Sequence, residues 1–121
     1  MARQMLLIYS DPASWGRLSE DDQGAINGEY MAYTQEMVEA GVMVAGDPLQ
    51  GTETAKTVAP DGVVTDGPFA DVAEHLGGYY IVDTATIKEA CDWAAKNPGV
   101  RRGLSRVEVR PIQDLAALME S

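Results

Sequence analysis

An α+β fold, built as an antiparallel sheet with two helices on one face, is what the sequence predicts, and three observations carry the prediction. First, apolar runs of strand length recur: Met5-Leu6-Leu7-Ile8-Tyr9, Val42-Met43-Val44-Ala45-Gly46 and Tyr79-Tyr80-Ile81-Val82. Second, a last run alternates, Val107 and Val109 being separated by Arg106, Glu108 and Arg110, which marks an edge strand with one apolar and one polar face. Third, two stretches of helical periodicity fall between the strands, so that the order is β-α-β, an added hairpin, then β-α-β. At 121 residues, 45% hydrophobic and 23% charged, the chain is one domain with a core of its own, about 4–112, and a C-terminal tail helix over 113–121.

Met5 to Tyr9 is apolar without alternation and is closed by Ser10-Asp11-Pro12, the pattern of a central strand covered on both faces. A loop over 11–18 follows, and its aromatic, Trp15, either lids a cleft or pins the loop to the body. Ser19 before Glu20, Asp21 and Asp22 reads as a helix start, because its hydroxyl caps free N–H groups and the carboxylates sit at the positive dipole end. Ile26, Tyr30, Tyr33, Met37 and Ala40 then form one stripe. Gly24 and Gly28 weaken the first half of this helix, and Gly41 stops it. Pro60-Asp61-Gly62 between Thr54–Ala59 and Val63–Thr65 signals a hairpin. Gly77-Gly78 introduces the next strand and allows close backbone approach. Thr86-x-x-Glu89 has capping-box form, with Ile87, Ala90, Cys91 and Ala94 on a core stripe of a helix that runs to Asn97-Pro98-Gly99. Asp114 to Met119 adds a short tail helix with Leu115, Leu118 and Met119 on one side.

Two split β-α-β units make the ferredoxin-like βαββαβ plan, here with an inserted β-hairpin. Helices cover only one face of such a sheet, whereas the central strands are apolar throughout. A second copy of the chain is the simplest cover for the other face, which predicts a homodimer forming an α+β barrel.

With 9 basic and 19 acidic residues the net charge is −10, and no basic stripe is present, which disfavours nucleic acid and anionic membranes as partners. Arg101, Arg102, Arg106 and Arg110 are the only basic concentration, read as an ion-paired face or as the anion-binding edge of a cleft. No apolar run is long enough to cross a bilayer, the N-terminus lacks the h-region of a signal peptide, and Cys91 is the only cysteine; a cytoplasmic location is the expectation.

Candidate chemistry gathers between Val63 and Val82, where Asp66, Asp71, Glu74 and His75 crowd a loop between two strands. Asp66 is read either as a general base in a partly apolar cleft or as a turn-holding carboxylate before Gly67-Pro68. His75, the only histidine, is either its catalytic partner or an exposed, hydrogen-bonded side chain. Glu74 binds ligand or caps the loop beside Gly77 and Gly78, while Tyr9, Tyr30, Tyr33, Tyr79 and Tyr80 are core aromatics, and on the helix face turned to the sheet the hydroxyls of Tyr30 and Tyr33 reach a cleft as a second role. One His and one Cys do not make a transition-metal ligand set, and Gly77-Gly78 leads into a strand where a phosphate cradle leads into a helix; no metal and no cofactor is expected.

The chain resembles the YCII-related family, in particular its DGPF-domain branch. The resemblance rests on Asp66-Gly67-Pro68-Phe69-Ala70 and Glu74-x-Leu76-Gly77-Gly78-Tyr79-Tyr80, and extends to Met5–Tyr9, Tyr30-x-x-Tyr33-Thr34-x-Glu36, Ala40-Gly41 and Val107-Glu108-Val109-Arg110-Pro111. It implies a dimeric ferredoxin-like α+β barrel without an established reaction, encoded beside or fused to sigma factors of the extracytoplasmic-function type. It also implies an acid/base pair formed by a His on the first helix and the Asp of the central loop; Tyr30 stands at the matching helix position here, which leaves Asp66 without that partner. The expected site is thus an Asp66-centred cleft that takes a small organic molecule, with Asp66 and His75 as catalytic groups and Tyr9, Tyr30, Tyr33, Pro68, Phe69, Glu74, Gly77 and Gly78 around the ligand. The alternative is a non-enzymatic interaction module of a sigma-factor system.

Overall fold

The computed structural model describes residues 2–70 and 72–120; Asp71 of the central loop lies outside the described residues. In chain order the elements are β1 (Ala2–Ser10), α1 (Pro12–Gly16), α2 (Glu20–Glu39), β2 (Met43–Pro48), a 3-10 turn (Thr52–Thr54), β3 (Lys56–Val58) and β4 (Val64–Asp66). They continue with β5 (His75–Thr84), α3 (Ile87–Ala95), α4 (Pro98–Arg101), β6 (Ser105–Pro111) and α5 (Leu115–Glu120). The main sheet is antiparallel with order β2-β5-β1-β6, and β3 and β4 pair separately as a two-stranded ribbon. This is the expected βαββαβ plan with an inserted hairpin. The fully apolar runs, β1 and β5, are the central strands, and the alternating β6 is an edge.

Leu6 of β1 and Val82 of β5 meet Tyr33 and Met37 of α2 and Ala90 and Ala94 of α3 in one buried cluster, which puts both helices on the same face. Alternation along β1 turns Gln4, Leu6 and Ile8 toward that core and leaves Met5, Leu7 and Tyr9 half-buried on the other face. Among the described residues no helix packs on this second face.

The caps explain the element boundaries. Ser19 accepts from the Asp22 N–H at 3.1 Å to start α2. At its end the Gly41 N–H reaches Val38 O and the Val42 N–H reaches Met37 O, a Schellman closure that needs the positive φ of Gly41 (+75°). Thr86 caps α3 by accepting from the Glu89 N–H, and the Glu89 carboxylate reaches back to the Ala85 N–H.

Several expectations are corrected. The loop over 11–18 contains a helical turn, α1, because Asp11 caps the Ala13 N–H and Pro12 sits where a missing N–H does no harm. Strand β5 begins at His75, so Gly77 and Gly78 lie inside it and His75 is a strand residue. The helix expected to run to Asn97–Gly99 ends at Ala95, and a second short helix, α4, starts beyond it. Cys91 and Ile87 are exposed; only Ala90 and Ala94 of that stripe are buried. The tail helix exists, but Leu115 and Met119 are largely exposed. The basic cluster is an ion-paired face: Arg102 pairs with Glu29, Arg106 with Glu74 and Arg110 with Glu108.

Candidate functional site

A cavity of about 720 Å³ opens between the middle of α2 and the β2–β5 edge of the sheet. Its apolar walls include Ile8, Trp15, Met31, Met43 and Tyr80, and Tyr30 turns one flank toward it. The chain is shaped to leave this space. Gly46 has no side chain because the Tyr80 ring lies across it; a Cβ there would fall 2.5 Å from Cδ1 of Tyr80. Gly78 lets the β2 backbone approach, since its Cβ would lie 3.1 Å from Asp47 O and 3.3 Å from Pro48 Cα. Tyr80 is further held edge-on against Tyr33, with centroids 5.6 Å apart and planes at 84°.

Several polar groups in or beside the cavity are paired. Thr34 Oγ1 and the Tyr80 hydroxyl share a hydrogen bond of 2.8 Å. The Ser10 and Ser105 hydroxyls are 2.7 Å apart. The Tyr30 hydroxyl donates to Asn97 Oδ1 at 2.9 Å, and that oxygen also accepts from the N–H groups of Gly99 and Val100. Burial raises the pKa of Tyr30, opposed by its hydrogen bonds with Gly99, Asn97 and Ser105. Burial likewise pushes Tyr33 well above the usual phenol range. At the rim the Tyr79 hydroxyl donates to Asp47 at 2.8 Å, which raises Tyr79 because the carboxylate would repel a phenolate. Among the described residues that line the cavity, Asp47 is the one carboxylate, His75 the one imidazole, and there is no Lys or Arg.

The expected site residues divide into two groups. His75, Tyr30, Gly77 and Gly78 line the cavity. Asp66 does not. It sits on β4 with its side chain 86% exposed and ion-paired to Lys56 across the ribbon. Pro68 and Phe69 are exposed in the chain that follows, Phe69 at 83%. Glu74 is exposed and faces Arg106 at 3.8 Å. Tyr9 lies on the sheet face opposite Ile8, and Tyr33 is buried with its hydroxyl donating to Trp93 O at 2.7 Å. Tyr30, Tyr80 and His75 are thus among the residues that line the cleft, and Asp66 is not. The sequence reading missed Ser10, Thr34, Asn97 and Ser105. Of these only Asn97 carried a local signal, an Asn before Pro98 at the start of a helix.

The chain matches the YCII-related domain over residues 2–113. It belongs to the YCII-related family. An uncharacterised protein of Rhizobium meliloti is 31% identical over 110 residues, covering 88% of this chain and 89% of the relative. A solved structure of similar shape, with TM-score 0.49 and 19% identity, covering 90% of this chain and 93% of the other, is 5-chloro-2-hydroxyhydroquinone dehydrochlorinase from Burkholderia phenoliruptrix, in complex with 2,5-dihydroxybenzoquinone.

In this YCII-related chain the Asp-Gly-Pro-Phe stretch closes the ribbon. Gly67 has φ +97°, a conformation that favours glycine, and its N–H bonds Ala55 O at 2.7 Å while its carbonyl accepts from the Thr57 hydroxyl at 2.9 Å. Among the described residues no group of His, Cys, Asp and Glu side chains is arranged to hold a metal ion, and no helix is long and apolar enough to cross a membrane.

Proposed function

We propose that this YCII-related protein binds a small organic molecule in the cavity beside Tyr30 and Tyr80, and that His75 is the group placed to exchange a proton with it. The observation that carries the reading is the cavity itself: a half-open cleft of about 720 Å³ with aromatic and aliphatic walls and a few fixed polar groups is the ordinary form of a small-molecule site. Trp15 is one of its walls and supplies the test. In a Trp93→Phe background Trp15 is the only tryptophan, and neutral aromatic compounds are expected to change its emission and raise the melting temperature together. A library of such compounds that leaves Trp15 emission unmoved would overturn the reading.

Asp66 is assigned to the ribbon. Its exposed pair with Lys56 contributes at most about 1 kcal/mol, so Asp66→Asn is expected to melt within a few degrees of wild type and to keep the Trp15 response. Loss of that response in a folded Asp66→Asn protein would return Asp66 to the site.

The protein works as a homodimer in this proposal, with Met5, Leu7 and Tyr9 on the helix-free face of the sheet covered by the same face of a second copy. Its single cysteine suits a reducing cytoplasm. A second reading, an interaction module for a protein partner such as a sigma factor, is favoured by one observation: Val58, Val63, Val64 and Phe69 are each more than half exposed on the ribbon and the chain leaving it.

A further inference from the structure

We infer that the ligand of the cavity is an organic acid, an apolar body carrying one ionised oxygen group, and that the His75 imidazole is the counter-charge which reads it. The inference rests on the small-molecule reading above and adds the ligand's charge to it.

An irregularity of β5 aims His75. Gly78, Tyr80 and Val82 of β5 stand opposite Ile8, Leu6 and Gln4 of β1, so these positions lie on the helix-covered face of the sheet. Continued without a break, that alternation would send position 75 to the other face. The ladder breaks instead: Tyr9 pairs with Leu76, Ser10 pairs with His75, and Gly77 is left over as a bulge. The Gly77 carbonyl accepts from the Leu49 N–H at 2.9 Å, which ties the bulge to the chain beyond β2. His75 thereby shares the face of Ser10, and both line the cavity.

The ring that arrives there is uncommitted. Among the described residues no group hydrogen-bonds or ion-pairs with the His75 imidazole, whereas the hydroxyls of Ser10, Tyr30, Thr34 and Tyr80 each have a partner. No Lys or Arg is among the described lining residues, so the imidazole is their one source of positive charge. The one lining carboxylate does not cancel it. Asp47 stands opposite Tyr79, and Tyr79 opposite Leu7, a residue of the helix-free face. There the Asp47 carboxylate accepts from the Tyr79 hydroxyl, with the sheet between it and the His75 ring. An imidazolium among apolar walls is answered best by an anionic oxygen, because a charge-assisted hydrogen bond is the stronger kind and gains further where water is excluded.

The other charged or titratable groups about His75 are Tyr30 of α2, Tyr80 of β5, Asp47 of β2 with its partner Tyr79, and Glu74, which faces Arg106 of β6. Calorimetric titration with 2-naphthoate and its uncharged isostere 2-naphthamide, at pH 6 and at pH 8.5, separates His75 from them. At pH 6 wild type is expected to bind the carboxylate ~10-fold or more tighter than the amide, the size of one charge-assisted hydrogen bond. Raising the pH to 8.5 discharges an imidazole, and the preference should collapse. In His75→Gln it should be absent at both pH values while the amide still binds. That variant keeps all six of the other groups, so a preference that persists in it belongs to one of them and overturns the assignment. Equal binding of the two compounds by wild type at pH 6, or tighter binding of the amide, overturns the inference and leaves the cavity as a site. A wild-type preference unchanged at pH 8.5 overturns it too. Binding of neither compound overturns the small-molecule reading, and the inference falls with it.

Discussion

Truncating Leu6 to alanine is expected to destabilise the protein by roughly 2–5 kcal/mol, because the cavity left behind adds to the lost transfer free energy of the removed carbons. Leu6 is 1% exposed on a central strand, where it touches α2 and α3 side chains together, so no single element can relax to fill the gap. In a domain of this size the melting midpoint should fall by roughly 10 °C or more. Met31→Ala removes a side chain that is 75% exposed and should cost no more than about 0.5 kcal/mol. Similar losses for the two variants in denaturant titrations would mean that the core is not where Leu6, Val82, Tyr33 and Met37 place it.

Asn97→Ala is expected to be the costliest polar substitution, at roughly 2–4 kcal/mol. It removes the cap of α4, worth about 1 kcal/mol, and strands the Tyr30 hydroxyl and the Gly99 N–H without their acceptor, at about 1–3 kcal/mol for each group that stays buried and dry. Asn97→Asp keeps an acceptor oxygen at the same reach and should lose clearly less. The check is the midpoint of urea unfolding at unchanged slope. Equal losses for alanine and aspartate would show that side-chain volume, and not the acceptor, holds this corner together.

The fold was readable because its signals are local and mutually consistent. Continuous apolar runs mark β1 and β5 as central, alternation marks β6 as an edge, and Ser19, Gly41 and Thr86 sit where their caps are needed. The resemblance to the YCII-related family pointed to the same plan. The site was only partly readable. The sequence drew attention to a run of acidic residues and one histidine, yet in space Asp66 and Glu74 face solvent and basic partners while His75, alone among the described residues of that run, lines the cavity. What lines the cavity, and what holds that lining, is set by tertiary placement: Ser10 and its partner Ser105 are 95 residues apart and Tyr30 and its partner Asn97 are 67 apart, distances over which no local pattern speaks. Trp15 shows the same limit, since a tryptophan on a short polar segment reads alike whether it pins that segment or lines a cavity.

Strands β2 and β5 are hydrogen-bonded neighbours, yet the whole β3–β4 ribbon lies between them along the chain. The ribbon is therefore the contents of a loop whose two ends the main sheet clamps together. Closing such a loop has an entropy that grows only logarithmically, about 0.6 kcal/mol for each doubling of its length. Lengthening, shortening or exchanging the ribbon leaves the clamp, and with it the Gly46, Gly78 and Tyr80 wall of the cavity, in register. The arm is thus the part of this architecture with the most freedom to diverge, while the cavity beside its root stays fixed.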